Sequence, residues 1–403
     1  MTNTGNRASK PLDVPKSTCP PTVIKYMGSK RKILSFIVNS IRDVHDGELI
    51  CDLFSGTGIV GSALKNDARI WSNDIQEYSS ILANAYMNSV DPSKYMIISN
   101  KVFAIAEAHV EILKRKFPIL KFSYNDVTSL GEFQVLEKKQ QELINLDFKD
   151  QDYHLFTKIY SGTYWSCEQC MWIDGYRLAA DMYRDKSIYP ILLASLMHAM
   201  AYNAQSTGHY AQYRDANDTS SMSDILKYRT KSISPYYRRK LKQLLEYSSA
   251  NAEDHVSTTL GYTECLELLP ESSLVYADPP YAFVHYSRFY HTLETLVKYD
   301  YPSVRYKGRY RDDRHQSPFC QKSNVEMAFK RLLEICTRRK HKLLISYSNN
   351  GMITLDDITA IIEDVMPNYM MYIKQQNHIH STMGRLNDKS RDVTEVLIIL
   401  KPR

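Results

Sequence analysis

Apolar residues follow two patterns along this chain. Short apolar runs that end at glycine, proline, asparagine or aspartate are typical of buried strands, whereas apolar residues that recur every three or four positions predict helices. Strands are predicted at the start of 49–61 and at 68–72, 256–259, 274–277, 341–348, 369–374 and 395–400. Helices are predicted at 102–116, 135–145, 167–183 and 191–203. This mixture predicts an α/β fold.

A long helical stretch divides the predicted strands into two groups. Residues 93–249 are helix-like and rich in aromatic side chains, whereas the strand-like runs lie within 21–92 and 250–403. We therefore expect one α/β domain, built from the two outer stretches, with a mainly helical insertion between them. Residues 1–20 are polar with scattered prolines and are expected to form a disordered tail.

A glycine-rich turn follows the first predicted strand. Gly56, Gly58 and Gly61 form a G-x-G-x-x-G pattern, which lets the backbone approach a ligand closely. The second strand leads to Asp74, where nucleoside-binding folds place a carboxylate on ribose hydroxyls. The combination indicates an adenosine-containing cofactor. The alternative is a strand–helix–strand packing unit without a ligand.

The apolar run at 274–277 is followed by Asp278, Pro279, Pro280 and Tyr281. Ligands of open α/β sheets bind at the carboxyl ends of the strands, which is where these residues are expected. A carboxylate that accepts hydrogen bonds, prolines that fix the direction of carbonyl groups, and a flat ring for stacking together suit a planar amine. The alternative is an ordinary Asp-Pro turn with a core tyrosine.

Charge and cysteine content narrow the functional class. The 403 residues carry a net charge of +6, with basic, aromatic clusters at 227–242 and 305–315 that suit a nucleic-acid backbone; a solvated surface is the alternative. The seven cysteines have no regular spacing, which argues against a disulfide framework, and Cys167 and Cys170 are expected within a helix. Apolar runs of membrane-spanning length and a signal peptide are both lacking, so we expect a soluble, cytoplasmic protein without a membrane partner.

In this order, the motifs resemble those of Dam-like N6-adenine-specific DNA methyltransferases of restriction-modification systems. The resemblance covers nearly the whole chain apart from the tail and parts of the insertion. It implies a Rossmann-like methyltransferase sheet, mostly parallel with one antiparallel late strand, and a target-recognition role for the insertion at 93–249. It also implies S-adenosylmethionine as the cofactor and double-stranded DNA as the substrate.

The resemblance further implies roles for individual residues. The catalytic residues would be Asp278, Pro279, Pro280 and Tyr281. The cofactor would be bound by Tyr26, Lys30, Asp52, Phe54, Ser55, Gly56, Gly58, Asp74, Glu264, Cys265 and Asp278, although the family usually has an Asp-Ala pair where Glu264 and Cys265 stand. DNA contacts are expected from His209, Tyr210, Arg238, Arg239, Arg305, Lys307, Arg309, Arg311 and Arg314. A metal is not implied.

The implied reaction is methyl transfer to N6 of an adenine flipped out of duplex DNA, by a monomer, with a cognate restriction endonuclease acting separately. The same amine site would also suit an N4-cytosine DNA or an N6-adenine RNA methyltransferase. Asp278 favours adenine, because cytosine enzymes more often have serine at that place. A catalytically inactive DNA-binding subunit that keeps the fold is the remaining alternative.

Overall fold

The computed structural model describes residues 19–206, 208–248, 254–280, 285–348, 351–380 and 391–403. A seven-stranded sheet and a separate two-stranded hairpin lie within these ranges. The strands are β1 (Ile50–Asp52), β2 (Ile70–Asn73), β3 (Val256–Thr258), β4 (Leu274–Ala277), β5 (Val304–Arg305), β6 (Tyr310–Arg311), β7 (Lys342–Ser348), β8 (Tyr369–His380) and β9 (Arg391–Pro402).

The large sheet has the strand order β3-β2-β1-β4-β7-β9-β8. Strand β9 runs antiparallel to both of its neighbours, and the other pairings are parallel. This confirms the predicted Rossmann-like sheet with one antiparallel late strand. Strand β4 is buried along its whole length, which explains its continuous apolar run. Because Asp52 pairs with Tyr276, the residues that follow β1 and β4 emerge side by side at one edge.

Strands β8 and β9 are longer than the predicted 369–374 and 395–400. Their pairing continues beyond the apolar residues, and there the hydroxyl of Thr394 donates a hydrogen bond to the side-chain oxygen of Asn377 at 2.8 Å. Backbone pairing in this hairpin therefore extends past the apolar pattern from which the strands were predicted.

Helices cover the sheet and form the segment between β2 and β3. They are α1 (Leu34–Arg42), α2 (Ile59–Leu64), α3 (Glu77–Met87), α4 (Tyr95–Lys116), α5 (Leu130–Gln141), α6 (Leu155–Tyr160), α7 (Cys167–Asp181), α8 (Tyr189–Asn203), α9 (Thr219–Arg229), α10 (Ile233–Ser248), α11 (Tyr262–Leu268), α12 (Tyr286–Phe289), α13 (His291–Lys298), α14 (Val325–Arg338) and α15 (Leu355–Val365). The four predicted helices correspond to α4, α5 with the 3₁₀ turn after it, α7 and α8. Cys167 and Cys170 are buried in α7, as predicted.

The helical segment shares an apolar core with the sheet domain. Helices α8 and α10 pack against α3, and Leu82 of α3, Leu193 of α8 and Leu296 of α13 belong to one buried cluster. Within the segment, Arg229 and Glu137 form a buried ion pair, with Arg229 Nε 3.0 Å from Glu137 Oε1. The segment therefore rests directly on the helices that flank the sheet.

Some predicted features lie outside the described residues. Residues 1–18 of the predicted tail and the proposed catalytic Tyr281 are among them. Among the described residues, none of the helices has both the length and the apolar character that a membrane span requires.

Candidate active site

The turn between β1 and α2 is shaped by two glycines with left-handed backbone angles. Gly56 has φ +51° and Gly58 has φ +69°, a region that other residues rarely adopt. A Cβ atom on Gly58 would lie 2.9 Å from the Cα of Ala83 in α3. The turn can therefore follow this path against α3 only with glycine at position 58.

The carboxylate of Asp74 fixes the same turn from the side of β2. Its Oδ2 accepts a hydrogen bond from the Gly56 N–H at 2.9 Å, and its Oδ1 accepts one from the Gln76 N–H at 2.9 Å. Burial raises the pKa of Asp74, while these two backbone N–H groups oppose the rise by stabilising the charged form. The turn and the predicted ribose-binding acid are thus locked together.

A cavity of about 260 Å³ opens at this edge of the sheet. Its lining contains eight of the predicted cofactor-binding residues: Tyr26, Lys30, Asp52, Phe54, Ser55, Gly56, Asp74 and Asp278. Phe54, Tyr262 and Phe319 form an aromatic wall, with ring centroids 5.4 Å apart for Phe54–Phe319 and 5.2 Å apart for Tyr262–Phe319. A cavity with carboxylates and an aromatic wall suits a ligand that carries both hydroxyl groups and a flat ring.

The structure changes the interpretation of Glu264 and Cys265. Neither residue is among those that line the cavity; Glu264 is exposed, and Cys265 is buried in the core beneath the sheet. The lining instead includes the stretch 260–263, which precedes and opens α11. The structure therefore does not bring Glu264 and Cys265 together with the other predicted cofactor-binding residues.

The predicted residue Tyr26 lies in a stack of tyrosines, of which Tyr26 and Tyr286 line the cavity. The ring of Tyr26 stacks on Tyr286 at 5.4 Å and on Tyr290 at 4.8 Å between centroids. The hydroxyl of Tyr290 accepts a hydrogen bond from the Met27 N–H at 2.8 Å. Burial raises the pKa of Tyr26 well above its usual value, so the phenol stays neutral. Neither Tyr286 nor Tyr290 was predicted from the sequence.

Asp278 lies directly after β4 and belongs to a buried cluster of charges. Its Oδ1 is 3.0 Å from Lys30 Nζ, and the same Nζ donates a hydrogen bond to Glu395 Oε1 of β9 at 2.6 Å. The hydroxyl of Ser346 in β7 also donates to Glu395 Oε1. Burial raises the pKa of Asp278 to about 6, with Lys30 opposing the rise and Glu395 adding to it. Neither Glu395 nor Ser346 was predicted.

Polar residues form the rim of the cavity beside Asp278. His285, Ser287 and His315 belong to the lining, and the Ser287 hydroxyl donates to the backbone oxygen of His315 at 2.6 Å. Burial lowers the pKa of both histidines, so both are neutral at pH 7. On the floor, burial raises the pKa of Asp52 to about 7 although its Oδ2 accepts the Gly61 N–H at 3.1 Å.

Three of the residues predicted to bind DNA make contacts inside the protein. Arg311 is 3% exposed, and its guanidinium pairs with Asp300 at 2.6 Å and with Asp313 at 2.8 Å. Arg309 donates to the backbone oxygens of Ile159 and Gln141. Tyr210 is 3% exposed. These side chains hold the β5–β6 hairpin and its surroundings in place, so we do not retain them as DNA contacts.

The other predicted DNA-binding residues lie at or near the surface. Arg305 pairs with Asp312 at 2.8 Å and Lys307 pairs with Asp215, all four side chains being partly or fully exposed. The remaining ones lie against aromatic rings: Arg238 over Phe103, Arg239 over Tyr236, Arg314 over Tyr310 and His209 against Phe289. Exposed ion pairs are weak, so the cations can exchange partners with phosphate groups.

The sequence of the chain is similar to those of known DNA methyltransferases. Residues 26–361 match the family model described as D12 class N6 adenine-specific DNA methyltransferase. The chain is 27% identical over 352 residues to Type II methyltransferase M.FokI of Planomicrobium okeanokoites, covering 84% of this chain and 47% of that protein. It is 24% identical to modification methylase LlaI of Lactococcus lactis subsp. lactis, covering 94% and 55%. It is 23% identical to Type II methyltransferase M.NlaIII of Neisseria lactamica, covering 94% and 99%. The chain thus spans about half the length of the first two and almost all of the third.

Proposed function

The chain belongs to the D12 class N6 adenine-specific DNA methyltransferases, and from this membership we propose that it transfers a methyl group from S-adenosylmethionine to N6 of an adenine in duplex DNA. One observation carries the proposal: the Asp278 carboxylate lies in the same cavity as the Gly56–Asp74 turn. An acceptor for an amine and a binding site for a nucleoside therefore share one space.

The residues of the cavity fit S-adenosylmethionine. Asp74 would accept hydrogen bonds from the ribose hydroxyls, since a carboxylate has more acceptor positions than its two backbone partners use. The adenine ring would lie against the wall of Phe54, Tyr262 and Phe319. When bound, the cofactor supplies a methyl group on a positively charged sulfur.

Asp278 would act on the other reactant as a hydrogen-bond acceptor. The exocyclic amine of adenine is a poor nucleophile, because its lone pair is delocalised into the ring. Hydrogen bonds from its two N–H groups to the Asp278 carboxylate and the Pro279 carbonyl would localise that pair on nitrogen. A separate general base is not needed, since the methylated amine is acidic and loses its proton readily.

The substrate amine lies inside a double helix, so the adenine must first be flipped out, at a cost of a few kcal/mol. Tyr281, which lies outside the described residues, would stack on the flipped base. The helical segment at 93–249 would recognise the target. We assign DNA contacts to His209 and to the exposed or half-buried cations Arg238, Arg239, Arg305, Lys307 and Arg314.

The biological setting follows from the substrate. We infer a modification enzyme of a restriction-modification system, with a cognate endonuclease that acts separately. It would work in the cytoplasm of a prokaryotic cell or of a phage-infected host, where the DNA lies. A monomer suffices, because one chain supplies both the cofactor cavity and Asp278.

The test is methyl transfer to DNA that lacks modified bases. The purified protein is incubated with tritium-labelled S-adenosylmethionine and with unmethylated DNA or RNA, and the products are digested to nucleosides. Label in N6-methyldeoxyadenosine is expected. Label in N4-methyldeoxycytidine, label only in RNA, or binding of DNA without transfer would each contradict the proposal and point to one of the alternative functions.

A further inference from the structure

We propose that Glu395 is a positioning residue of this reaction: it holds the Lys30 ammonium so that the Asp278 carboxylate stays available to the target amine. This inference rests on the proposed function, because it concerns the hydrogen bond that Asp278 would accept from adenine N6.

The contacts around Lys30 are unequal. Its Nζ is 2.6 Å from Glu395 Oε1 and 3.0 Å from Asp278 Oδ1. The Glu395 side chain is 2% exposed, whereas that of Asp278 is 19% exposed and lines the cavity. Glu395 is also held by the hydroxyl of Ser346 from the neighbouring strand. The more rigid and closer carboxylate therefore retains the ammonium, and the less rigid one faces the ligand space.

The charges of Lys30, Asp278 and Glu395 indicate that Glu395 serves more than the stability of the fold. The three side chains carry one positive and two negative charges, and an extra carboxylate is costly to bury in the protein interior. A buried Lys30–Asp278 pair alone would be neutral and more favourable. It would also direct the ammonium wholly at Asp278, where it would compete with the N–H groups of adenine for the same oxygens.

Glu395 resolves this competition. When the amine approaches Asp278, Lys30 keeps its charge-assisted hydrogen bond to Glu395. The Asp278 oxygens can then accept hydrogen bonds from the amine while the Lys30 charge stays paired with Glu395. Glu395 does not touch the reacting atoms; it acts through Lys30.

The decrease of kcat at low pH tests how Lys30 is shared between Asp278 and Glu395. The charged and titratable groups that face Asp278 are Lys30 in the 3₁₀ turn before α1, Glu395 on β9, Tyr276 on β4 and Asp52 at the end of β1. The negative charge of Glu395 makes Asp278 harder to ionise, and Lys30 makes it easier. Removing the charge of Glu395 and moving Lys30 closer to Asp278 act in the same direction: both lower the pH at which Asp278 ionises.

The experiment compares kcat against pH for the full chain and for Glu395→Gln, with unmethylated genomic DNA and saturating tritium-labelled S-adenosylmethionine. Glu395→Gln is expected to lower the plateau at least about tenfold, because Lys30 now occupies Asp278. Its acid-limb midpoint should move to lower pH by roughly one unit. Glu395→Asp, which keeps the charge but shortens the reach, should shift the midpoint in the same direction by less and recover part of the plateau.

Glu363→Gln serves as the matched control, since it removes the same charge from the exposed face of α15. Its profile should superimpose on that of the wild type. If a Glu395 variant loses activity while the midpoint of its acid limb stays in place, Glu395 has a structural role only. This result would overturn the inference. If Glu395→Gln does not fold, the midpoint of Glu395→Asp decides alone. Lack of transfer by the wild type would overturn the proposed function itself, which is a different and separately visible result.

Discussion

Replacing Asp278 with asparagine should change the rate of methyl transfer and the stability of the protein in different directions. The substitution keeps the shape of the side chain and one oxygen that can accept a hydrogen bond, but it removes the negative charge. The cluster then contains one ammonium, Lys30, and one carboxylate, Glu395, which are already 2.6 Å apart. Because this pair is balanced, we expect the free energy of unfolding to be unchanged or higher than that of the wild type.

The rate of methyl transfer, in contrast, should fall. A hydrogen bond to a charged acceptor is roughly twice as strong as one to a neutral acceptor, and loss of one preorganised electrostatic contact commonly lowers kcat about 10²- to 10³-fold. We therefore expect Asp278→Asn to lower kcat by that factor. S-adenosylmethionine should still bind, because the Gly56–Asp74 turn is untouched.

Three measurements check this prediction. Urea unfolding gives the stability, equilibrium dialysis gives cofactor affinity, and single-turnover transfer of tritiated methyl groups gives the rate of the chemical step. The wild-type rate should itself fall below about pH 6, where Asp278 takes up a proton. A variant that retains a rate within tenfold of the wild type would refute the role of Asp278 as a charged acceptor. A variant that loses cofactor binding as well would show that Asp278 serves the cavity rather than the amine.

The remaining predictions concern the turn and the surface. Asp74→Ala should raise the KM for S-adenosylmethionine with a smaller change in kcat, since it removes the acceptor of the Gly56 N–H; steady-state kinetics check this, and an unchanged KM would contradict it. Gly58→Ala should lower the free energy of unfolding in urea by at least about 1–2 kcal/mol, because of its left-handed φ and the contact with α3. Arg305→Ala should reduce the slope of log DNA affinity against log salt by about one, and an unchanged slope would remove it from the interface. Arg311→Ala should leave that slope unchanged but destabilise the protein by about 1–3 kcal/mol through loss of its bonds to two aspartates.

Local motifs explain why much of the site could be predicted from sequence. Gly56, Gly58 and Asp74 are close in the chain, and Asp278 immediately follows a strand, so one pattern captures both the element and its chemistry. The mostly parallel sheet with one antiparallel late strand also followed from the family resemblance. Such signals are contiguous, which makes them readable without a structure.

The residues that the structure places away from their expected surroundings share a different physical cause. Arg311 belongs to a run of cations that resembles a DNA-binding surface, but its side chain is buried against two aspartates. Glu264 was assigned by resemblance, and it lies in α11 outside the cavity lining. Glu395 stands in an apolar strand with no local sign of function. The role that we propose for Glu395 depends on its contact with Lys30, which is 365 residues away in sequence.

The separation between Lys30 and Glu395 has a consequence for how the enzyme becomes active. Contacts between residues far apart in sequence form slowly, because a long loop must close before they are gained. The ammonium and both carboxylates meet only when β9 has inserted between β7 and β8. Under the proposed function, a partly folded chain that has formed the Gly56–Asp74 turn but not this insertion would bind S-adenosylmethionine without transferring its methyl group, and we expect transfer only from the completed sheet.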